Sequence, residues 1–132
     1  MRLVVPAEVD RLDQVMQFIA VVLEKHNCPA AVETYLTMAV EEVFVNIVNY
    51  AYDEGVGDVT LDADVCEQAV TIRVTDCGKA YNPMEKSDPD ITLAAEKRQI
   101  GGLGIYMVKK LMDEVSYAYA DGKNCLTIIK RW

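Results

Sequence analysis

Apolar side chains recur every three to four residues in three stretches of the chain, a spacing that predicts amphipathic helices. The first predicted helix covers about residues 7–26, and Asn27 ends it. The second runs to about residue 52, and Pro29 suits its first turn. The third covers residues 103–112. Each of the three helices therefore has one apolar face to bury.

Outside these helices, apolar and polar residues alternate in short runs, as is typical of half-buried β-strands. The short connection at residues 66–68, between two alternating runs, and the turn-forming residues 121–124 predict two hairpins. Helices combined with adjacent hairpins favour an α+β fold, a two-layer sandwich with a mostly antiparallel mixed sheet and helices on one face. The predicted strands are residues 2–5, 58–65, 69–75, 115–119 and 126–129.

Residues 76–102 have no sustained periodicity, apart from a weak helical signal over residues 91–98. Pro83 and Pro89 interrupt this segment, and glycines lie at both of its ends. A stretch this long without regular structure in a compact domain is usually a functional loop or a lid. We therefore expect a functional loop or a lid in this segment.

The composition is that of a globular protein, since 52% of the 132 residues are apolar and 26% are charged. This length suits a single domain, residues 1–132. No apolar run approaches the roughly 18 residues that span a bilayer, and no signal-peptide pattern is present. We expect a cytoplasmic protein without membrane contact. The net charge of −8 argues against direct nucleic-acid binding, because phosphate backbones attract a basic surface.

The four cysteines form no CxxC pair, and His26 is the one histidine, so the sequence predicts no zinc site. A disulfide framework is also not expected in a chain that can bury a core of this size. Most of the cysteines are expected to be small core residues. Cys77 is the exception, because candidate binding residues surround it.

A polar stripe runs along the second predicted helix, roughly opposite its apolar arc. Its members, Glu42, Asn46, Asn49 and Asp53, follow one another at spacings of three or four residues. A charged stripe is usually a solvated helix face. Asparagines inside a helix weaken it, however, because their side chains compete for backbone hydrogen bonds. The stripe is therefore also a candidate site.

An acid and a glycine follow the predicted strand that ends at residue 75. Asp76 can accept hydrogen bonds from an exocyclic amine such as that of adenine, and Gly78 allows a ligand to approach the backbone. The alternative is an ordinary Asp-x-Gly turn, which is a common feature of loops.

Three glycines, Gly101, Gly102 and Gly104, precede the third predicted helix. Free N–H groups at the positive end of a helix suit phosphate oxygens, whereas a hinge for the preceding loop is the alternative. No Gly-Lys-Ser/Thr follows, so this is not a Walker P-loop. No strand leads into a GxGxxG motif either, which excludes the dinucleotide-binding pattern.

Three short motifs of the chain resemble, in their order and spacing, the N, G1 and G2 boxes of the GHKL (Bergerat-fold) ATPases. The motifs are Glu42-x-x-x-Asn46, Asp76-x-Gly78 and Gly102-x-Gly104. Longer segments are similar to the anti-sigma-factor serine-protein kinases of that superfamily. These segments are residues 42–52, 76–83, 101–108 and 112–117.

The resemblance implies a role for each matching residue. Asn46 would coordinate the Mg²⁺ that bridges the phosphates of ATP, and Glu42 would be the general base that accepts a hydroxyl proton. The i, i+4 spacing to Asn46 selects Glu42 over Glu41. Asp76 would bind the adenine amine, with Gly78 making room for the ring. The phosphates would be held by Gly101, Gly102, Leu103 and Gly104.

Other family features have less definite counterparts in this chain. The ATP lid would cover about residues 83–101, with Lys97 or Arg98 as the candidate cation for the phosphates. Thr127 is a candidate for a threonine that the family places near the base. Cys77 lies inside the G1 box, where alkylation would block nucleotide.

The function that the resemblance implies is an Mg-ATP-dependent serine/threonine protein kinase. Its expected substrate is a small STAS-type anti-sigma-factor antagonist, and sequestration of a sigma factor and homodimerisation are further family properties. The chain has no phospho-accepting histidine segment, which argues against a two-component histidine kinase. Two alternatives are an ATP-gated binding module without kinase activity, and an α+β domain that binds no nucleotide.

Overall fold

The computed structural model describes residues 1–52, 57–85 and 102–132, which form one sheet covered by helices. The strands are β1 (Arg2–Pro6), β2 (Asp58–Cys66), β3 (Ala69–Asp76), β4 (Glu114–Ala120) and β5 (Lys123–Arg131). The helices are α1 (Leu12–Lys25), α2 (Ala30–Tyr50) and α3 (Gly102–Leu111), with short 3-10 turns at Val9–Arg11 and Pro83–Glu85.

The sheet has the strand order β1-β2-β3-β5-β4, and all four pairings are antiparallel. Its central strand, β3, therefore pairs with β2 on one side and β5 on the other. At the end of β3, Asp76 pairs with Val59 and with Asn124. This register brings the start of β5 beside the end of β3, which is the edge of the sheet where the candidate site lies.

One face of the sheet is buried and carries alternate residues of the three inner strands. The α+β fold with helices on one face, predicted from the sequence, is confirmed. Phe44 of α2 is fully buried among the side chains of this core. The buried apolar residues of the inner strands are Val59, Leu61, Ala63, Val70, Ile72, Val74, Leu126 and Ile128.

Both predicted hairpins are present, and each has a two-residue turn with positive φ. The turns are Glu67 and Gln68, at φ 51° and 62°, and Asp121 and Gly122, at φ 54° and 74°. Two successive residues of positive φ match the right-handed twist of the flanking strands. The predicted turn over residues 121–124 was too long, because Asn124 already belongs to β5.

The helix boundaries also differ from the predicted ones. Residues 9–11 form a 3-10 turn, so α1 begins at Leu12 rather than near residue 7. Pro29 precedes α2 as its cap, with an extended ψ of 146°, and does not occupy the first helical turn. None of the described helices is long and apolar enough to cross a membrane.

Candidate functional site

A cavity lies where the C-terminal half of α2 meets the end of β3, the start of β5 and the start of α3. Its floor is apolar, whereas its polar groups come from different elements that the fold brings together. The lining residues are Val43, Asn46, Ile47, Tyr50, Ala51, Val74, Asp76, Lys79, Tyr81, Pro83, Ile105, Tyr117, Asn124 and Leu126.

On α2, Glu42 and Asn46 are half-buried and border the buried face of the helix. Their stripe was predicted to lie roughly opposite the apolar arc, and that prediction was wrong. Both α1 and α3 pack against α2, so the buried arc is wider than one sheet contact would require. Asn49 is exposed and not among the residues that line the cavity, and position 53 lies outside the described residues.

The Glu42 carboxylate lies against the first turn of α3. A Cβ added at Gly104 would collide with the carboxylate of Glu42, so any larger residue would displace the carboxylate from this contact. The contact sets the acid beside the N-terminal end of a helix, where the helix dipole favours negative charge. Glu42 also lines a groove between α2 and α3, together with the exposed Met38 and Met107.

Asp76 ends β3 and is only 4% exposed, although its side chain lines the cavity. One oxygen, Oδ1, accepts hydrogen bonds from the Gly78 N–H at 2.8 Å and from Asn124 Nδ2 at 3.0 Å. Its other oxygen, Oδ2, makes no hydrogen bond with any residue that the structure describes. A buried carboxylate oxygen without a partner is costly, so it marks a place where a ligand donor would bind.

Gly78 lies against the C-terminal end of α2. A Cβ at this position would collide with the carbonyl group and side chain of Ala51. The same Ala51 carbonyl accepts a hydrogen bond from the Lys79 N–H at 3.0 Å. The glycine therefore allows the segment after β3 to close onto α2, a packing reason that adds to its predicted role beside a ligand.

The Tyr52 side chain also holds the segment that follows β3, at Cys77. The Tyr52 hydroxyl donates to the Asp58 carbonyl at 2.8 Å and accepts from the Cys77 N–H at 2.8 Å. Burial raises the pKa of Tyr52, and the nearby Asp76 raises it further, although the Cys77 N–H acts in the opposite direction. Tyr52 is therefore held as the neutral phenol that this pair of hydrogen bonds requires.

Asn124 is the functional candidate that sequence reasoning missed. It is 6% exposed and contacts the carboxylate of Asp76 from the neighbouring strand. Asn124 shares the buried face of β5 with Leu126 and Ile128, because the three occupy every second position of the strand. This spacing is the signal in the sequence that could have identified Asn124. Thr127 was the wrong candidate in this hairpin, because it lies on the opposite face of β5 from Asn124.

Asn46 could contribute to a magnesium site at the α2 side of the cavity. Among the described residues, no group of three or more His, Cys, Asp or Glu side chains could hold a metal ion. An Mg²⁺ ion usually keeps several waters and takes one or two protein oxygens together with substrate phosphates. The amide oxygen of Asn46 therefore fits a metal bound mainly through a nucleotide.

The residues predicted to bind phosphate lie only partly within the described chain. Gly102 and Leu103 begin α3, whereas Gly101 lies outside the described residues. Of the predicted lid, residues 83–85 are described, and Pro83 lines the cavity. The candidate lid cations at positions 97 and 98 and the helical signal over residues 91–98 lie outside them. All four cysteines are free, Cys66 and Cys77 are exposed, and Cys28 and Cys125 are half-buried, so the expectation that most of them are core residues was wrong.

Comparisons with known proteins agree with this architecture. A sequence profile described as the histidine kinase-like ATPase domain matches residues 5–130. The chain is similar to the serine-protein kinase RsbW of Bacillus mycoides, at 33% identity over 95 residues, or 69% of this chain and 59% of the relative. It is 33% identical over 92 residues to RsbW of Listeria monocytogenes, covering 66% of this chain and 59% of the relative.

A solved structure of the RsbU and RsbW domains of a Mycobacterium tuberculosis protein shares the fold. The superposition covers 99% of this chain and 32% of that one, with a TM-score of 0.68 and 18% sequence identity. This structural likeness concerns the fold alone. The chain spans about 59% of the length of the RsbW relatives that it matches.

Proposed function

Because this chain belongs to the histidine kinase-like ATPase domain family, with serine-protein kinases among its relatives, we propose that it transfers phosphate from Mg-ATP to a serine or threonine of another protein. The observation that carries the proposal is the arrangement of polar groups around a cavity and a groove that both border α2 and α3. Asp76 and Asn46 line the cavity, from the end of β3 and from α2, and Glu42 lines the groove with its carboxylate against the first turn of α3.

The base of the nucleotide would bind at the Asp76 end of the cavity. The free Oδ2 of Asp76 would accept a hydrogen bond from the 6-amino group of adenine. Apolar side chains such as Ile47 and Leu126 would contact the ring. The phosphates would then extend toward the start of α3, where Gly102, Leu103 and Gly104 present the positive end of a helix. Gly101 completes the proposed phosphate contact.

Magnesium would neutralise the charge that develops on the phosphates, with Asn46 as its protein ligand. The acceptor hydroxyl would reach Glu42 through the groove bordered by Met38 and Met107. Its oxygen would attack the γ-phosphorus while the bond to the β,γ-bridging oxygen breaks, which releases ADP. Glu42 would take the hydroxyl proton.

The proposed acceptor is a small STAS-type antagonist of an anti-sigma factor, and the chain would also sequester a sigma factor. The relatives named serine-protein kinase RsbW support a protein substrate that is phosphorylated on serine, and the class of partner follows from the family resemblance. A homodimer in the cytoplasm, with residues 83–101 as the ATP lid, completes the proposal.

The second candidate function is an ATP-gated binding module without phosphate transfer. The contact between Glu42 and Gly104 favours it, because that contact gives the acid a packing role between α2 and α3. In such a module, nucleotide would order the site and set affinity for a partner, and Glu42 would hold the first turn of α3 in place.

Phosphate transfer from radiolabelled ATP distinguishes the two functions. The purified chain is incubated with Mg-ATP and a STAS-type acceptor, and Glu42→Gln is compared with the unmodified chain. We expect a loss of at least about 100-fold in transfer with less than about threefold change in ATP affinity, because the amide keeps the shape but cannot take a proton. Glu33→Gln, in the first turn of the same helix and outside the groove between α2 and α3, is the matched control and should transfer normally. Partner capture that depends on ATP, without transfer, would support the module instead.

A further inference from the structure

Asn124 joins three segments around the buried end of the cavity through one side-chain amide. Its Nδ2 donates to Asp76 Oδ1 at 3.0 Å and to the Lys79 carbonyl at 2.8 Å, with a longer contact of 3.4 Å to the Gly78 carbonyl. Its Oδ1 accepts from the Tyr81 N–H at 3.1 Å and from the Tyr117 hydroxyl. An amide has two donor hydrogens and two acceptor lone pairs, and all four are used here.

This set of bonds leaves Asp76 with one orientation. Its Oδ1 is held by two donors, the Gly78 N–H and Asn124 Nδ2, so Oδ2 is the oxygen left for the cavity. The Asn124 amide is itself held by the backbone of the segment after β3 and by Tyr117 of β4. Burial raises the pKa of Tyr117, so its hydroxyl remains a donor to the amide.

We propose that Asn124 is a positioning residue that makes the site selective for 6-aminopurine nucleotides by holding the Asp76 carboxylate with Oδ2 toward the ligand. The inference rests on the proposed nucleotide binding and deepens it. A purine without the 6-amino group would leave Oδ2 buried without a donor, and the cost of that unsatisfied oxygen is the source of discrimination. Discrimination between purines with and without the 6-amino group therefore requires that the Asp76 carboxylate cannot rotate away from the cavity.

The alternative is that Asn124 serves only to stabilise the β4–β5 hairpin. A purely structural role would change the stability of the fold and weaken all nucleotides alike. A positioning role changes the ratio of affinities between a purine with the 6-amino group and one without it. The ratio is therefore the measurement that separates the two roles.

The test measures calorimetric affinities of the complete chain for ATP and for purine riboside 5′-triphosphate, which lacks the 6-amino group. We expect the unmodified chain to prefer ATP by about tenfold or more, as a hydrogen bond to a charged group allows. In Asn124→Leu, which has similar volume and no donors, the preference should fall below about threefold. Thr127→Val, on the opposite face of the same strand, is the matched control and should keep the full preference.

A double-mutant cycle checks that Asn124 acts through Asp76. Asp76→Asn alone should remove the preference, and adding Asn124→Leu should then change the ratio no further, because coupled residues are not additive. An Asn124→Leu variant that keeps the full preference would overturn the inference. If the unmodified chain binds neither nucleotide, the proposed function itself fails, which is a separate outcome.

Asn124→Asp supplies a second measurement if the leucine variant does not fold. It keeps the side-chain shape but places a second carboxylate beside Asp76, with Tyr117 as the other titratable group in contact. Two adjacent carboxylates raise the pKa of one of them, and a shared proton restores the lost hydrogen bond. ATP affinity of this variant should therefore improve by roughly tenfold as the pH falls from about 8 to about 5.5. An affinity with the same pH dependence as the unmodified chain would count against positioning.

Discussion

Individual tyrosines hold the candidate site through hydroxyl groups that stay protonated. Tyr52 joins Cys77 to Asp58, and Tyr117 donates to Asn124. Burial is the largest cause that raises the pKa of each hydroxyl, and the charge of Asp76 adds to it. At the residue scale, the site therefore depends on two phenols that resist ionisation.

These raised pKa values predict a loss of stability in alkali. Between the pKa of an unfolded tyrosine, about 10, and the higher folded pKa, the unfolded chain loses protons that the folded chain keeps. The contribution of Tyr52 and Tyr117 is therefore fully present below pH 10 and is lost as the pH rises through their folded pKa. Urea unfolding at several pH values from 8 to 11 measures this effect.

The matched variant carries Tyr52→Phe and Tyr117→Phe together. It should be less stable at pH 8, because it lacks the hydroxyl hydrogen bonds, but its stability should fall less steeply above pH 10. Parallel pH profiles of the two proteins would contradict the assignment of the alkaline loss to these hydroxyls.

At the scale of elements, the site is formed by close contacts of α2 with two glycine-containing segments. Gly104 admits the carboxylate of Glu42 at the first turn of α3, and Gly78 admits the carbonyl of Ala51 after β3. Both glycines were predicted from the sequence to contribute to ligand binding, and those roles stay predictions. Their packing roles became visible only when α2 was placed against both segments.

Gly104→Ala tests the element contact. The added methyl group collides with the end of the Glu42 side chain, which can rotate away, so the fold should persist while the carboxylate is displaced. Phosphate transfer should fall by on the order of 100-fold, since small displacements of catalytic groups are costly. Radiolabelled transfer and urea unfolding are measured on the same preparation.

Gly122→Ala is the matched control for that substitution. Gly122 has a φ of 74° and open space around its Cβ position. This variant should lose about 1 kcal/mol of unfolding free energy from the left-handed backbone and transfer phosphate normally. Equal losses of transfer in both variants would show that backbone destabilisation, and not the Glu42 contact, controls activity.

At the scale of the whole molecule, one core supports every part of the site. Helix α2 has its buried face on this core and carries Glu42 and Asn46 along the border of that face. Phe44 lies between these two residues in the chain and is fully buried. The positions of the polar residues therefore depend on how α2 packs on the sheet.

Phe44→Ala tests this dependence. Removal of a buried phenylalanine side chain should lower the free energy of unfolding by about 3–5 kcal/mol. Urea denaturation measures the loss, and Tyr35→Ala, at an exposed position on the same helix, should lose much less. A change below about 1 kcal/mol for Phe44→Ala would contradict the placement of this ring in the core.

Local patterns in the sequence determined the elements, and motif order determined the family. Alternation and helical spacing depend on nearest neighbours in the chain, so the α+β fold and both hairpins could be predicted, and the structure confirms them. The resemblance to the anti-sigma-factor serine-protein kinases of the GHKL superfamily is confirmed by the family profile and the RsbW relatives. Element ends shifted by a few residues, because caps and turns depend on local backbone geometry.

Only the tertiary structure showed which polar groups meet. Asn124 is 48 residues from Asp76 in the chain, and the pairing of β3 with β5 places the two side by side. The same register places Thr127 on the other face of the sheet, and the packing of α1 and α3 places Glu42 and Asn46 at the border of the buried arc. Strand register and helix packing depend on the whole core, so no local pattern could supply them.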